Sequence, residues 1–125
     1  MKNLLELGLF EPDKLLYPVL LGRMQEVGNV NLRSMSKDKS IQLIKDSDLP
    51  DLHGALVGNF GGSAQDMKEV ILELRSKYPN AFLVGMVDSP KFKVGANYTT
   101  LYENLYSNID WIVAQILVNA NRTTL

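Results

Sequence analysis

Residues 54–87 read GALVGNFGGSAQDMKEVILELRSKYPNAFLVGMV, and this stretch decides the fold. Gly54-Ala55-Leu56-Val57-Gly58 is an unbroken apolar run of the kind found in central strands covered on both faces. Gly61-Gly62-Ser63 turns the chain. Met67, Val70, Ile71, Leu74 and Tyr78 then recur at three- and four-residue spacing with Asp66, Lys68, Glu69, Glu73 and Lys77 between them, which predicts an amphipathic helix. Pro79-Asn80 stops it, Ala81 to Val87 repeats the buried-strand pattern, and Asp88-Ser89-Pro90 marks a loop. Strand, helix, strand is the unit of a parallel sheet, with the helix carrying the chain back across the sheet face.

The same alternation extends outward in both directions. Asn3 to Leu9 is short and apolar enough for a first strand, and Glu11-Pro12-Asp13 breaks it and opens a helix that reaches about Val27, with Gly28 as its stop. Pro18 is tolerated only in a first helical turn, so the regular helix is expected to begin near Tyr17. Val30 to Met35 alternates as a half-exposed strand does, and Ser36 looks like an N-cap before a short helix through Ile41-Gln42-Leu43-Ile44. Downstream, Gly95-Ala96-Asn97 precedes the β-forming Tyr98-Thr99-Thr100-Leu101, and Asn104 to about Ala120 forms a long closing helix. The expectation is an α/β fold, an open parallel five-stranded sheet with helices on both faces.

The chain has 125 residues, 46% of them hydrophobic, enough for one packed core, so a single domain over 1–125 is expected. A formal net charge of -1 gives no reason to expect a nucleic-acid partner. No cysteine is present, which excludes disulfides, thiolate metal sites and a Cys nucleophile and fits a reducing compartment. A charge within the first six residues leaves no room for a signal-peptide core, and no run approaches a membrane span, so a cytoplasmic location is expected.

The order of punctuation is similar to that of bacterial response-regulator receiver domains. Met1-Lys2 opens a strand, Glu11-Pro12-Asp13 follows it, Pro50-Asp51-Leu52 precedes the middle strand, a Gly-containing turn comes next, Glu73-Leu74-Arg75 closes a helix, and Gly95-Ala96 lies late in the chain. The resemblance covers nearly the whole chain and implies a flavodoxin-like, receiver-like fold. It also implies an acidic pair after the first strand, a phosphoaccepting Asp after the third, a hydroxyl residue after the fourth and a Lys after the fifth. On this sequence the acidic pair falls on Leu9 and Phe10, with only the adjacent Glu11 kept. The phosphoacceptor position falls on Asn59. The hydroxyl falls near Met86, with Ser89 in reach of a register shift, and the Lys falls near Leu101. Leu9 and Phe10 offer no oxygen to Mg²⁺, and the Asn59 amide is a poor nucleophile beside a carboxylate. The resemblance therefore points to a degenerate receiver, acting in signal transduction or transcriptional regulation through protein contacts independent of phosphorylation.

Other residues carry alternatives. Gly61, Gly62 and Ser63 lie between a strand and a helix N-terminus, where an anion or nucleotide-like ligand can bind, but they read more readily as an ordinary turn with an N-cap and lack the P-loop Lys. Asp88 and Ser89, at the ligand-facing end of the fourth strand, either bind a ligand or cap a turn. Glu11 and Asp13 are either remnants of a cation site or acids favoured by a helix dipole. His53, the single histidine, is placed at the opposite sheet edge and read as structural. Met24, Met35, Met67 and Met86 fit apolar positions, so no cofactor pocket is called for. No catalytic constellation can be assembled, and an enzyme is not expected.

The closing helix bears on partners. At 3.6 residues per turn, Leu105, Ile109, Ile112, Val113 and Ile116 share one stripe, the core face. Trp111, Ala114 and Val118 fall roughly opposite, on a stretch without charge between Asp110 and Arg122. Those three residues are the expected contact for a protein partner or a homodimer. Asn121 to Leu125 is polar and suits a linker to an output domain.

Overall fold

The structure is a computed structural model and describes residues 4–11, 15–36, 51–58, 64–89 and 94–123. Five strands form one parallel sheet: β1 (Leu5–Phe10), β2 (Val30–Ser36), β3 (Gly54–Val57), β4 (Phe82–Val87) and β5 (Tyr98–Leu101). Their spatial order is β2-β1-β3-β4-β5, with every neighbouring pair parallel. Three helices are described: α1 (Leu16–Val27), α2 (Ala64–Lys77) and α3 (Tyr102–Thr123). The helix expected around Ile41 to Ile44 lies outside the described residues.

Alternation along the strands sorts side chains onto two faces. Leu5, Leu7 and Leu9 of β1, with Leu56, Val84 and Met86, meet Leu20 and Met24 of α1 and Leu105, Ile109, Ile112, Val113 and Ile116 of α3. Phe10, Ala55, Val57, Leu83 and Val87 point the other way and meet Met67, Val70, Ile71 and Leu74 of α2. Each large side chain so buried stabilises the fold by about 1.5–3 kcal/mol. The doubly covered β3 and β4 are therefore the continuous apolar runs of the sequence.

Several boundaries differ from expectation for local physical reasons. β1 begins and ends one to two residues later than Asn3–Leu9, because the Leu5 amide pairs with Asn29 O and Phe10 still pairs with β3. α1 starts at Leu16, which leaves Pro18 in the first turn, where its missing N–H costs nothing. Its first turn holds no acidic residue, so the dipole reading of Glu11 is corrected. Asp13 lies outside the described residues. α3 follows β5 without a loop, starting at Tyr102 rather than Asn104, and continues to Thr123. Asn121, Arg122 and Thr123 are thus part of the helix.

Ten residues, 88–97, connect the parallel pair β4 and β5, and the described ones among them contain no helix. Parallel crossovers ordinarily take a dozen residues or more. Within this connection Val94 is buried against the α2 side and Gly95 takes φ +81, a left-handed conformation that favours glycine. Asn97 fixes the exit: its Oδ1 accepts from the Leu83 amide at 2.9 Å and from Arg75 Nη2 at 3.1 Å.

Candidate functional site

All strands run in one direction, so the residues that follow β1, β3, β4 and β5 meet at one sheet edge. Leu9 and Phe10 do not contribute polar groups there. Leu9 is 1% exposed in the core under α1 and α3, and Phe10 is 2% exposed in the core under α2. Glu11, one residue on, is buried at 7% exposure. Its Oε2 accepts a hydrogen bond of 2.5 Å from the Tyr102 hydroxyl, 91 residues away. The carboxylate lies over Gly58, just past β3, where a Cβ would stand 1.8 Å from Glu11 Oε2 and 2.8 Å from the Tyr102 hydroxyl. Glycine at 58 is what lets the acid cross the end of β3.

Met86 is buried in β4, and Leu101 at the end of β5 packs against the α2-side core, so neither presents a polar group at this edge. Asp88 is exposed and Ser89 half-buried just past β4. Asn59, Gly61, Gly62 and Ser63 lie outside the described residues. Among the described residues, no three His, Cys, Asp or Glu gather as a metal cluster. Beside the edge, Asn108 Nδ2 donates to Thr100 Oγ1 and to the Tyr98 hydroxyl, each at 3.4 Å, tying α3 to β5.

His53 lies at the far edge, as expected, and performs a backbone task. Its Nδ1 accepts from the Glu6 amide at 2.9 Å, while its own amide donates to Glu6 O at 2.8 Å. The imidazole extends the β1–β3 ladder by one bond.

On α3, Trp111 is 46% and Val118 44% exposed, and Ala114 is also exposed. The predicted core stripe is buried throughout. Trp111 packs against Tyr98 in a tilted pair, with ring centroids 4.6 Å apart and planes at 52°. On the other flank of α3 a groove of about 800 Å³ runs between the end of α1 and the helix, with Leu5, Val27, Val113, Ala114 and Leu117 among its lining. Arg23 of α1 bridges this flank, pairing with Asp110 and, at 3.2 Å, with Glu26. No helix among the described residues is long and apolar enough to cross a membrane.

Sequence reasoning missed Tyr102 and Gly58. Neither carries a local signal, because both owe their place to strands ending at one edge.

No family model matches the sequence. No curated protein matches it either. Solved structures do match the fold. The RcsB response regulator of Salmonella typhimurium, described for its conformational dynamism in DNA interaction, superposes with a TM-score of 0.73 at 12% identity over 94% of this chain. The chain spans 61% of the length of that protein. The activated DrrB receiver domain matches at TM-score 0.65 and 10% identity, covering 92% of this chain and 98% of its own. A structure described as adenylate cyclase from Rhodopirellula baltica matches at 0.63 and 16% identity, with 95% of each chain covered. Identities this low speak for the fold alone, and together with the observed strand order they give the chain a flavodoxin-like, receiver-like fold.

Proposed function

We propose that the chain is a degenerate receiver that serves signal transduction as a protein-interaction module, without a phosphorylation switch. The observation that carries this reading is the use of the sheet edge. Leu9 and Phe10 are committed to the two cores, and the carboxylate that follows them is held by the Tyr102 hydroxyl. A Mg²⁺ site for phosphoryl chemistry needs hard oxygen ligands, usually one or two carboxylates with water and phosphate oxygens. An edge that ties its buried acid to a tyrosine favours shape over that chemistry. The partner surface in this reading is the uncharged side of α3 with Trp111, Ala114 and Val118. The chain acts in the cytoplasm, is not an enzyme and does not contact nucleic acid itself, in keeping with its net charge of -1.

Incubation with acetyl phosphate and Mg²⁺ followed by intact-mass measurement tests this. The expected result is an unchanged mass and no saturable Mg²⁺ binding by titration calorimetry. A covalent phosphoryl adduct, or saturable Mg²⁺ binding, overturns it.

A further inference from the structure

The strands at the two ends of the sheet order, β2 and β5, each have one side without a neighbouring strand among the described residues. β5 has four residues and β2 has seven, so β2 offers the longer template to an incoming strand. The register shows which of its groups face outward. The Leu5 amide donates to Asn29 O at 2.9 Å, so Asn29, Asn31 and Arg33 turn their backbone groups toward β1, while Val30, Leu32 and Ser34 turn theirs away. The outward carbonyl in the middle of this row, that of Leu32, accepts a hydrogen bond of 2.9 Å from the Tyr17 hydroxyl of α1. We infer that Tyr17 guards the sheet edge: by occupying Leu32 O it withholds β2 from pairing with a strand of another polypeptide.

An edge strand is sticky in proportion to the backbone groups it leaves without a donor or acceptor. Leu32 is buried in the core under α1 and α3, and its bond to Tyr17 is itself partly buried. A carbonyl in that setting needs a donor, because a buried acceptor left unpaired costs the fold its desolvation. In the native chain the phenol supplies that donor from within. Its ring packs on the same core, so the hydroxyl is held at the strand edge. Without the hydroxyl, the amide of an added strand is the donor that fits, and such a strand would also pair with the outward groups of Val30 and Ser34. Side chains reinforce the guard. Arg33 is exposed and reaches Glu6 Oε2 with Nε at 3.3 Å, and Asn31 Nδ2 donates to the same oxygen at 2.9 Å, which fixes a charged residue on the edge strand.

Tyr17→Phe keeps the ring and removes the hydroxyl. At about 100 µM its assembly, followed by light scattering and thioflavin T fluorescence, should run at least about tenfold faster than that of the native chain. His53→Ala, which breaks a bond between β1 and β3, should show no such gain when the two variants are compared at urea concentrations that give the same folded fraction. Proline at an outward-facing edge position blocks strand pairing without costing a ladder bond. Ser34→Pro should therefore return Tyr17→Phe to the native rate although it strengthens nothing in the fold, and should leave the native chain unchanged because that edge is already closed. Assembly of Tyr17→Phe no faster than that of His53→Ala, or a double variant as fast as Tyr17→Phe, overturns the inference. Slower assembly of Ser34→Pro alone than of the native chain overturns it too, and that arm stands even where Tyr17→Phe does not fold.

Discussion

The Tyr102 hydroxyl donates to the buried Glu11 carboxylate across the bare Cα of Gly58, and so joins the first residue of α3 to the end of β1 over the end of β3. The first prediction follows from that geometry. A methyl group at position 58 can enter only if the carboxylate leaves the hydroxyl. Gly58→Ala is expected to destabilise the chain by about 2–4 kcal/mol, the sum of crowding and a lost hydrogen bond to a charged group. Tyr102→Phe removes only the donor and should cost about 1–3 kcal/mol. Because both changes break the same bond, the double variant should be less destabilised than the two costs added. Urea denaturation checks all three; additive costs would show that Glu11 and Tyr102 act separately.

His53 supplies an acceptor to a backbone amide of a central strand. Replacing it with alanine leaves the Glu6 amide without that acceptor, at a cost of about 1–3 kcal/mol. Hydrogen exchange should quicken at Glu6 more than at Leu9, three residues further along the paired strand. Unchanged protection at Glu6 would refute the ladder role.

Asn97 and Arg75 hold the start of β5, with unequal weight. Asn97→Ala removes the acceptor of the Leu83 amide and is expected to cost about 1–3 kcal/mol, with faster exchange at Leu83. Arg75→Ala removes one donor to Asn97 and a longer contact to Gly95 O, both exposed, and should cost under about 1 kcal/mol. Thermal melts of the two variants should preserve that order, and the reverse order would contradict it.

Two glycines should respond with opposite signs. Gly22 lies inside α1, exposed, with nothing within 4 Å of an added Cβ, so Gly22→Ala should stabilise by roughly 0.5–1 kcal/mol through helix propensity. Gly95 also has open space, but its φ of +81 strains any other residue, so Gly95→Ala should destabilise by about 1–2 kcal/mol. Stabilisation at both positions would mean that the β4–β5 connection does not need its left-handed turn.

Much of the fold was legible in the sequence because burial leaves a local period. The apolar runs 54–58 and 81–87 could only be strands covered on both sides, and the spacing of Leu105, Ile109, Ile112 and Ile116 fixed the inner face of α3 before any neighbour was known. The same spacing put Trp111 and Val118 on the exposed side. Ends were less legible. Asn121 to Thr123 looked like a tail because polar residues on a solvated last turn have the composition of a linker. The tertiary structure alone decided which distant groups would meet. Glu11 read as a remnant of a cation site or a helix-start acid until β1, β3 and β5 ended at one edge of the sheet and brought Gly58 and Tyr102 to it. His53 could be placed at an edge but not given its partner, since the Glu6 amide is oriented by the pairing of β1 with β3. Period is a property of neighbours along the chain, whereas a hydrogen bond across 91 residues depends on the register of strands, which no stretch of sequence contains.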